Sequence, residues 1–193
     1  MGTVSYNTEQ ELRQLQEVGL ALQPDLVLLC YAVNDVEPVM WVFDKRSNPV
    51  TDLMQRSYAG SLLAVLARNV KNAVTGGSTL NWDAYRADSP AWRGVDGALT
   101  EMNRVCRQAG IPFVVFHNFE DVPPLRTLLS AVGRREGFPV LEVFQRDDSR
   151  YAGIDPRKLV NSAMDSHPNV EGTRMWAELL RDALRGHLGA WRF

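Results

Sequence analysis

The chain has 193 residues, 45% of them hydrophobic and 23% charged, with a formal net charge of -2. That size and balance describe one globular domain, 1–193, with a substantial core, and they give no reason to expect nucleic acid or an acidic membrane surface as partner. No apolar run reaches the roughly 20 residues of a membrane span, and no leader peptide is read ahead of the first predicted helix, so the compartment stays open. Thr8 with Glu11 three positions on is a capping box that predicts a helix start. Leu12, Leu15 and Val18 give that helix one apolar face, and Gly19 followed by Pro24 closes it. The run from Asp25 to Tyr31 is too short for most helices and apolar enough for a strand buried on both faces. Polar side chains return abruptly at Asn34 and Asp35, at the carboxyl end of that strand, the edge where ligands sit in open α/β sheets.

A loop containing Met40, Trp41 and Phe43 leads to a predicted helix over 53–71, with Leu62, Leu63, Val65 and Leu66 at helical spacing. The stretch 72–90 is long and irregular, with Trp82 and Tyr85, and reads as a lid or a wall of a site. Helical spacing resumes from Trp92 to Ala109 and stops at Gly110; a buried strand follows over 112–117 and ends on His117, read as a partly buried, hydrogen-bonded histidine. A helix over 124–135, a turn at Gly137 and Phe138, and a third strand over 139–144 come next. Asp155 and Pro156 open a short helix, and Trp176, Leu179, Leu180, Ala183 and Leu184 form the core stripe of a final one. Cys30 and Cys106 fall in a predicted strand and a predicted helix and read as buried thiols, not a disulfide. Buried strands alternating with helices imply a parallel sheet covered on both faces.

The stretch Asp165 to Asn169 reads as a loop into the last helix. Pro168 keeps His167 out of helical backbone angles, and Asn169 is a good N-cap. A histidine with a carboxylate two residues before it suits a general base whose imidazolium needs an anionic orienter. His117, His167 and His187 have no ligand spacing to one another or to the cysteines, so no metal site is expected.

Four short blocks, Gly2 to Thr8, Pro24 to Val27, Val33 to Asp35 and Asp165 to Asn169, together resemble the successive blocks of the SGNH (GDSL-type) hydrolases, in the subgroup with Asp-x-His-Pro-Asn. The resemblance implies a flavodoxin-like three-layer α/β/α domain that works without a cofactor, on a small-molecule ester or an acylated carbohydrate or lipid. Carried over by position, it makes His167 the catalytic base and Asp165 its orienter. Asn34 would give its side-chain amide to the oxyanion hole, and Ser5, where many members have glycine, its backbone N–H. Ala32 stands where the family has a glycine two positions before its Asn. The block Gly-Asp-Ser that supplies the nucleophile has no match in the chain. Ser5 comes too early to have a supporting strand, and Ser162 and Ser166 are only sequence neighbours of His167. The expectation is therefore a fragment that lacks the first strand, which in the order 2-1-3-4-5 lies inside the sheet, so that its loss leaves an apolar slot. An O-acyltransferase acting on a sugar hydroxyl with the same residues, or a non-catalytic remnant, are the alternatives.

Overall fold

The computed structural model describes residues 6–36, 82–117, 122–162 and 165–188. The expected Met40–Phe43 loop, the helix over 53–71, the 72–81 part of the irregular stretch and Ser5 lie outside the described residues.

Helix α1 spans Thr8–Gln14. Its N-cap is Asn7, not Thr8: the Asn7 side chain accepts from the Gln10 backbone N–H while the Gln10 side chain accepts from that of Asn7. The helix does not close at Gly19. It continues through a π turn over Leu15–Gly19 and a 3-10 turn over Leu20–Leu22, then stops at Gln23 in the left-handed region. The extra residue of a π turn rotates the helix face. Leu15 and Gly19 therefore face inward, while Val18, expected on the apolar face, is 48% exposed.

Strand β1 is Val27–Cys30, β2 is Phe113–His117 and β3 is Val140–Glu142. They form one parallel sheet in the order β1-β2-β3, with Val27 opposite Phe113 and Val115 opposite Val140. Helix α2 runs Pro90–Gln108. The Ser89 side chain caps it by accepting from the Trp92 N–H, and proline occupies its first position, where the missing donor costs nothing. Gly110, at φ +72°, lets the chain turn out of the helix. Helix α3 is Pro123–Glu136 and ends in the same way on Gly137. The Asn103 amide in α2 donates to the Glu136 carbonyl, which ties the ends of α2 and α3 together.

The central strand β2 is buried along its whole length and serves two cores by alternation. Phe113 and Val115 pack with Trp92, Leu99 and Met102 of α2 and with Leu125 and Leu129 of α3. Val114 and Phe116 face the other way, to Leu141, Leu159 and the last helix, α4 (Val170–Leu188), through Met175 and Leu179. The other stripe residues of α4, among them Trp176 and Leu184, are partly buried against that second core. Helices thus lie on both faces of the sheet, compatible with α/β/α layering. No helix among the described residues is long and apolar enough to cross a membrane.

Two expectations need correction. Asp165 to Pro168 is not a loop but strand β5, paired antiparallel with β4 (Val160–Ser162) through an irregular register. Cys30 is not buried. It is exposed at the end of β1, whereas Cys106 in α2 is buried as expected and both thiols are free.

Candidate functional site at the carboxyl edge of the sheet

All three parallel strands deliver polar side chains at their carboxyl ends. After β1, residues Ala32 to Asp35 form a tight turn. The Asp35 N–H donates to the Ala32 carbonyl at 3.0 Å, and the Asp35 carboxylate accepts from the Ala32 N–H at 2.6 Å. Helix α1 grips this turn from its own first residue: the Thr8 N–H and hydroxyl both donate to the Asp35 carbonyl, at 3.3 and 3.2 Å. The Tyr85 hydroxyl donates to the Val33 carbonyl. Asp35 is buried inside the turn and Asn34 is exposed on its outside. The motif therefore divides its labour. One side chain builds the turn and the next is presented to solvent.

Beneath the turn sits a group of ionisable side chains in poor contact with water. Burial, opposed by the Ala32 N–H, raises the Asp35 carboxyl to about 7. Burial and then the Asp35 charge raise Glu11 of α1 to about 8, and one of its carboxylate oxygens is buried without a hydrogen-bond partner. Burial, followed by Glu11 and Asp35, pushes the Cys30 thiol upward although the residue opens to solvent along the strand edge. Tyr31, 2% exposed, is driven far above an ordinary phenol by the same burial.

At the end of β2, His117 is fully buried instead of partly so, and neither ring nitrogen has a hydrogen-bond partner. Its Nε2 lies 3.8 Å from a carboxylate oxygen of Glu142, its register partner on β3, which is too long for a hydrogen bond. Burial lowers the His117 pKa, against the pull of Glu142. The imidazole is thus neutral, and the cation that faces Glu142 is Arg126, while the Ser130 hydroxyl donates to the same carboxylate at 2.9 Å. The Arg126 guanidinium lies over the Phe144 ring, 5.3 Å from its centre, and Phe144 meets His117 edge-on.

His167 is exposed on β5, in the hairpin that leads to α4. Asp165 opens β5, and its side chain lies outside the described residues. Asn169 anchors this hairpin. Its side-chain oxygen accepts from the Gly172 N–H at 3.0 Å, as the predicted cap, and its amide donates to the carbonyls of Lys158 and Val160 at 2.8 and 3.1 Å. Gly172 lets α4 approach: a Cβ there would sit 2.2 Å from the Leu159 carbonyl oxygen. β5 packs against β4 and α4, while Asn34 lies in the turn that follows β1. Among the described residues no cluster of three or more His, Cys, Asp or Glu is arranged to hold a metal ion.

Sequence reasoning missed Glu11, assigned there to the capping box, and the group formed by Glu142 and Arg126. Glu11 stands four positions before Leu15 on the inward face of α1, a spacing that could have found it. No family model, curated protein or solved structure matches the chain.

Proposed function

We propose that the chain is an SGNH-type acyl-ester hydrolase domain. In this reading the Asn34 amide stabilises the oxyanion with the Ser5 backbone N–H. His167, held by Asp165, takes the proton from a serine hydroxyl as it attacks the ester carbonyl and returns it to the departing alcohol. The serine is the one part of this machinery that the 193 residues do not supply in a Gly-Asp-Ser setting. The sheet order β1-β2-β3 then corresponds to three consecutive strands of a flavodoxin-like sheet.

The observation that carries the proposal is the pair of bonds from Thr8 to the Asp35 carbonyl. They draw together two sequence blocks 27 positions apart at the carboxyl end of a parallel strand, the edge where such sheets bind ligands. An oxyanion hole drawn from Ser5 and Asn34 requires that proximity. The Asp35 turn, which buries its own carboxylate and leaves Asn34 outside, supplies an amide free to meet a substrate.

The test is hydrolysis of p-nitrophenyl acetate by the 193-residue chain, by a form carrying the coding sequence upstream of Met1, and by the His167→Ala and Asn34→Ala variants of each. Activity is expected in the extended form, with Asn34→Ala lowering kcat by about 10²-fold and His167→Ala abolishing it. His167-dependent activity in the short chain would make Ser5 the nucleophile. Ester turnover that needs an acceptor sugar would make the enzyme a transferase. Extended-form activity indifferent to both substitutions, or none in any form, would overturn the proposal.

A further inference from the structure

The carboxyl ends of β2 and β3 enclose an imidazole that the fold leaves unsatisfied. His117 closes β2, is fully buried, and makes no hydrogen bond from either ring nitrogen. A buried polar group in that condition is rare and calls for a physical reason. Strand alternation turns His117 toward α3, on the face that carries Phe113 and Val115. Its neighbour across the ladder is Glu142, the natural counter-ion for an imidazolium. Both oxygens of that carboxylate are already engaged by α3. The Ser130 hydroxyl donates to Oε1, the oxygen 3.8 Å from His117 Nε2, and the Arg126 guanidinium holds Oε2. Tyr31, just past β1, and Tyr85, ahead of α2, bring phenols to the same core, and the buried face of α2 carries no charged side chain. Among the described residues, the charged groups that face His117 are therefore Glu142 and Arg126.

We infer that His117 is an acid-sensing latch: a proton taken up by its imidazole drives the first turns of α3 off the carboxyl ends of β2 and β3. A buried imidazolium needs an anion, and the described anion within reach is already held by Ser130 and Arg126. The cation has two ways out. It can displace those two groups from Glu142, which frees α3 at Arg126. It can also leave the interior, which parts the Val143 N–H from the His117 carbonyl. Both routes open the same place. The sign follows from burial, which lowers the proton affinity of the closed state below the ordinary value of 6.5 that the open state keeps. The open state binds the proton more tightly, so the latch holds at neutral pH and weakens as pH falls through 6.5. The latch stands whether or not the chain is an esterase.

The test is amide hydrogen exchange of the 193-residue chain between about pH 7.5 and 5.5, corrected for the intrinsic pH dependence of exchange. It is read at Val143 and Arg126, whose N–H groups donate to the His117 and Val122 carbonyls. An opening coupled to one proton at 6.5 should raise the opening constant about tenfold across that range. His117→Gln should flatten the response. Arg126→Gln, at a half-exposed side chain, frees a Glu142 oxygen for the imidazolium and should cut the rise to about twofold. Glu11 and Asp35 titrate in the same range at the β1 corner, so each variant is compared with the wild type at the same pH. Nitrogen-15 spectra of the imidazole should show His117 still neutral in the native protein at about pH 6. A wild-type opening constant that does not rise, or a rise that survives either substitution, overturns the inference. Should His117→Gln fail to fold, Arg126→Gln and the imidazole spectra decide it, and a native His117 that titrates at or above 6.5 overturns it as well.

Discussion

Replacing Glu11 with glutamine should change the pH dependence of stability more than stability itself. The native carboxyl titrates at about 8, raised by burial and then by Asp35, against an ordinary value of 4.5 in an unfolded chain. The native state therefore holds this proton more tightly than the unfolded state does. The stabilisation is fully present below pH 4.5 and drains away as pH rises through 8. If nothing relaxed, a displacement of that size would withdraw on the order of 4–5 kcal/mol across the window. Glu11 borders an open groove and is only partly buried, so solvation of the ionised form reduces the withdrawal to about 2 kcal/mol. Glutamine keeps the shape and does not titrate. Urea denaturation of both proteins at pH 5 and pH 9, followed by the fluorescence of tryptophans such as the buried Trp92, reads the difference. The variant should gain about 2 kcal/mol on the wild type between the two pH values. A gap that is the same at both, or one in which the wild type gains as pH rises, would refute the placement of an ionisable carboxyl in a water-poor corner.

Two further outcomes follow from the hairpin that carries His167. Asn169→Ala removes the cap on α4 and strands the carbonyls of Lys158 and Val160, and should cost about 2 kcal/mol in a denaturant titration; a loss under about 0.5 kcal/mol would show the anchor to be dispensable. Gly172→Ala forces a methyl carbon to within 2.2 Å of the Leu159 carbonyl oxygen, a backbone atom that cannot swing aside, so the midpoint of thermal unfolding should fall by several degrees, roughly as for a loss of 1–3 kcal/mol, with the far-ultraviolet spectrum retained.

The positions of the elements were legible where burial is symmetric. The run Phe113–Phe116 shows its strand because both faces must be apolar, and the stripe of α2 shows its helix because one face must be. Legibility failed where the outcome depends on a neighbour. Cys30 reads as core in any apolar run, yet it is exposed at the carboxyl end of β1, because exposure at the last residue of a strand depends on neighbours that the run itself does not show. Asn7 and Thr8 are both competent caps, and the choice fell to Asn7 because Thr8 is engaged with Asp35, 27 positions away. The π turn leaves no trace in spacing, so spacing puts Val18 on the apolar face although it is exposed. The β4–β5 hairpin is short and polar, without the alternation that marks a strand, and its pairing is held by Asn169 instead of by an apolar face. Of the candidate site, the turn bearing Asn34 was readable as a strand end. The burial of Glu11 and Asp35 was not, because a charged residue announces solvent until a fold takes it away.

The spacing of paired strands sets an order of assembly. Val115 meets Val140, 25 positions later, whereas Val27 meets Phe113, 86 positions later. Closing the longer span costs about 1 kcal/mol more in chain entropy than closing the shorter one, before any contact is gained. The unit β2–α3–β3 is therefore the cheaper nucleus, and β1 with α1 docks onto a surface already built. The turn that presents Asn34 belongs to the late-docking piece. This corner of the molecule is then also among the first to detach when the native state opens locally, and hydrogen exchange in Thr8 to Asp35 should outpace that in Phe113 to His117.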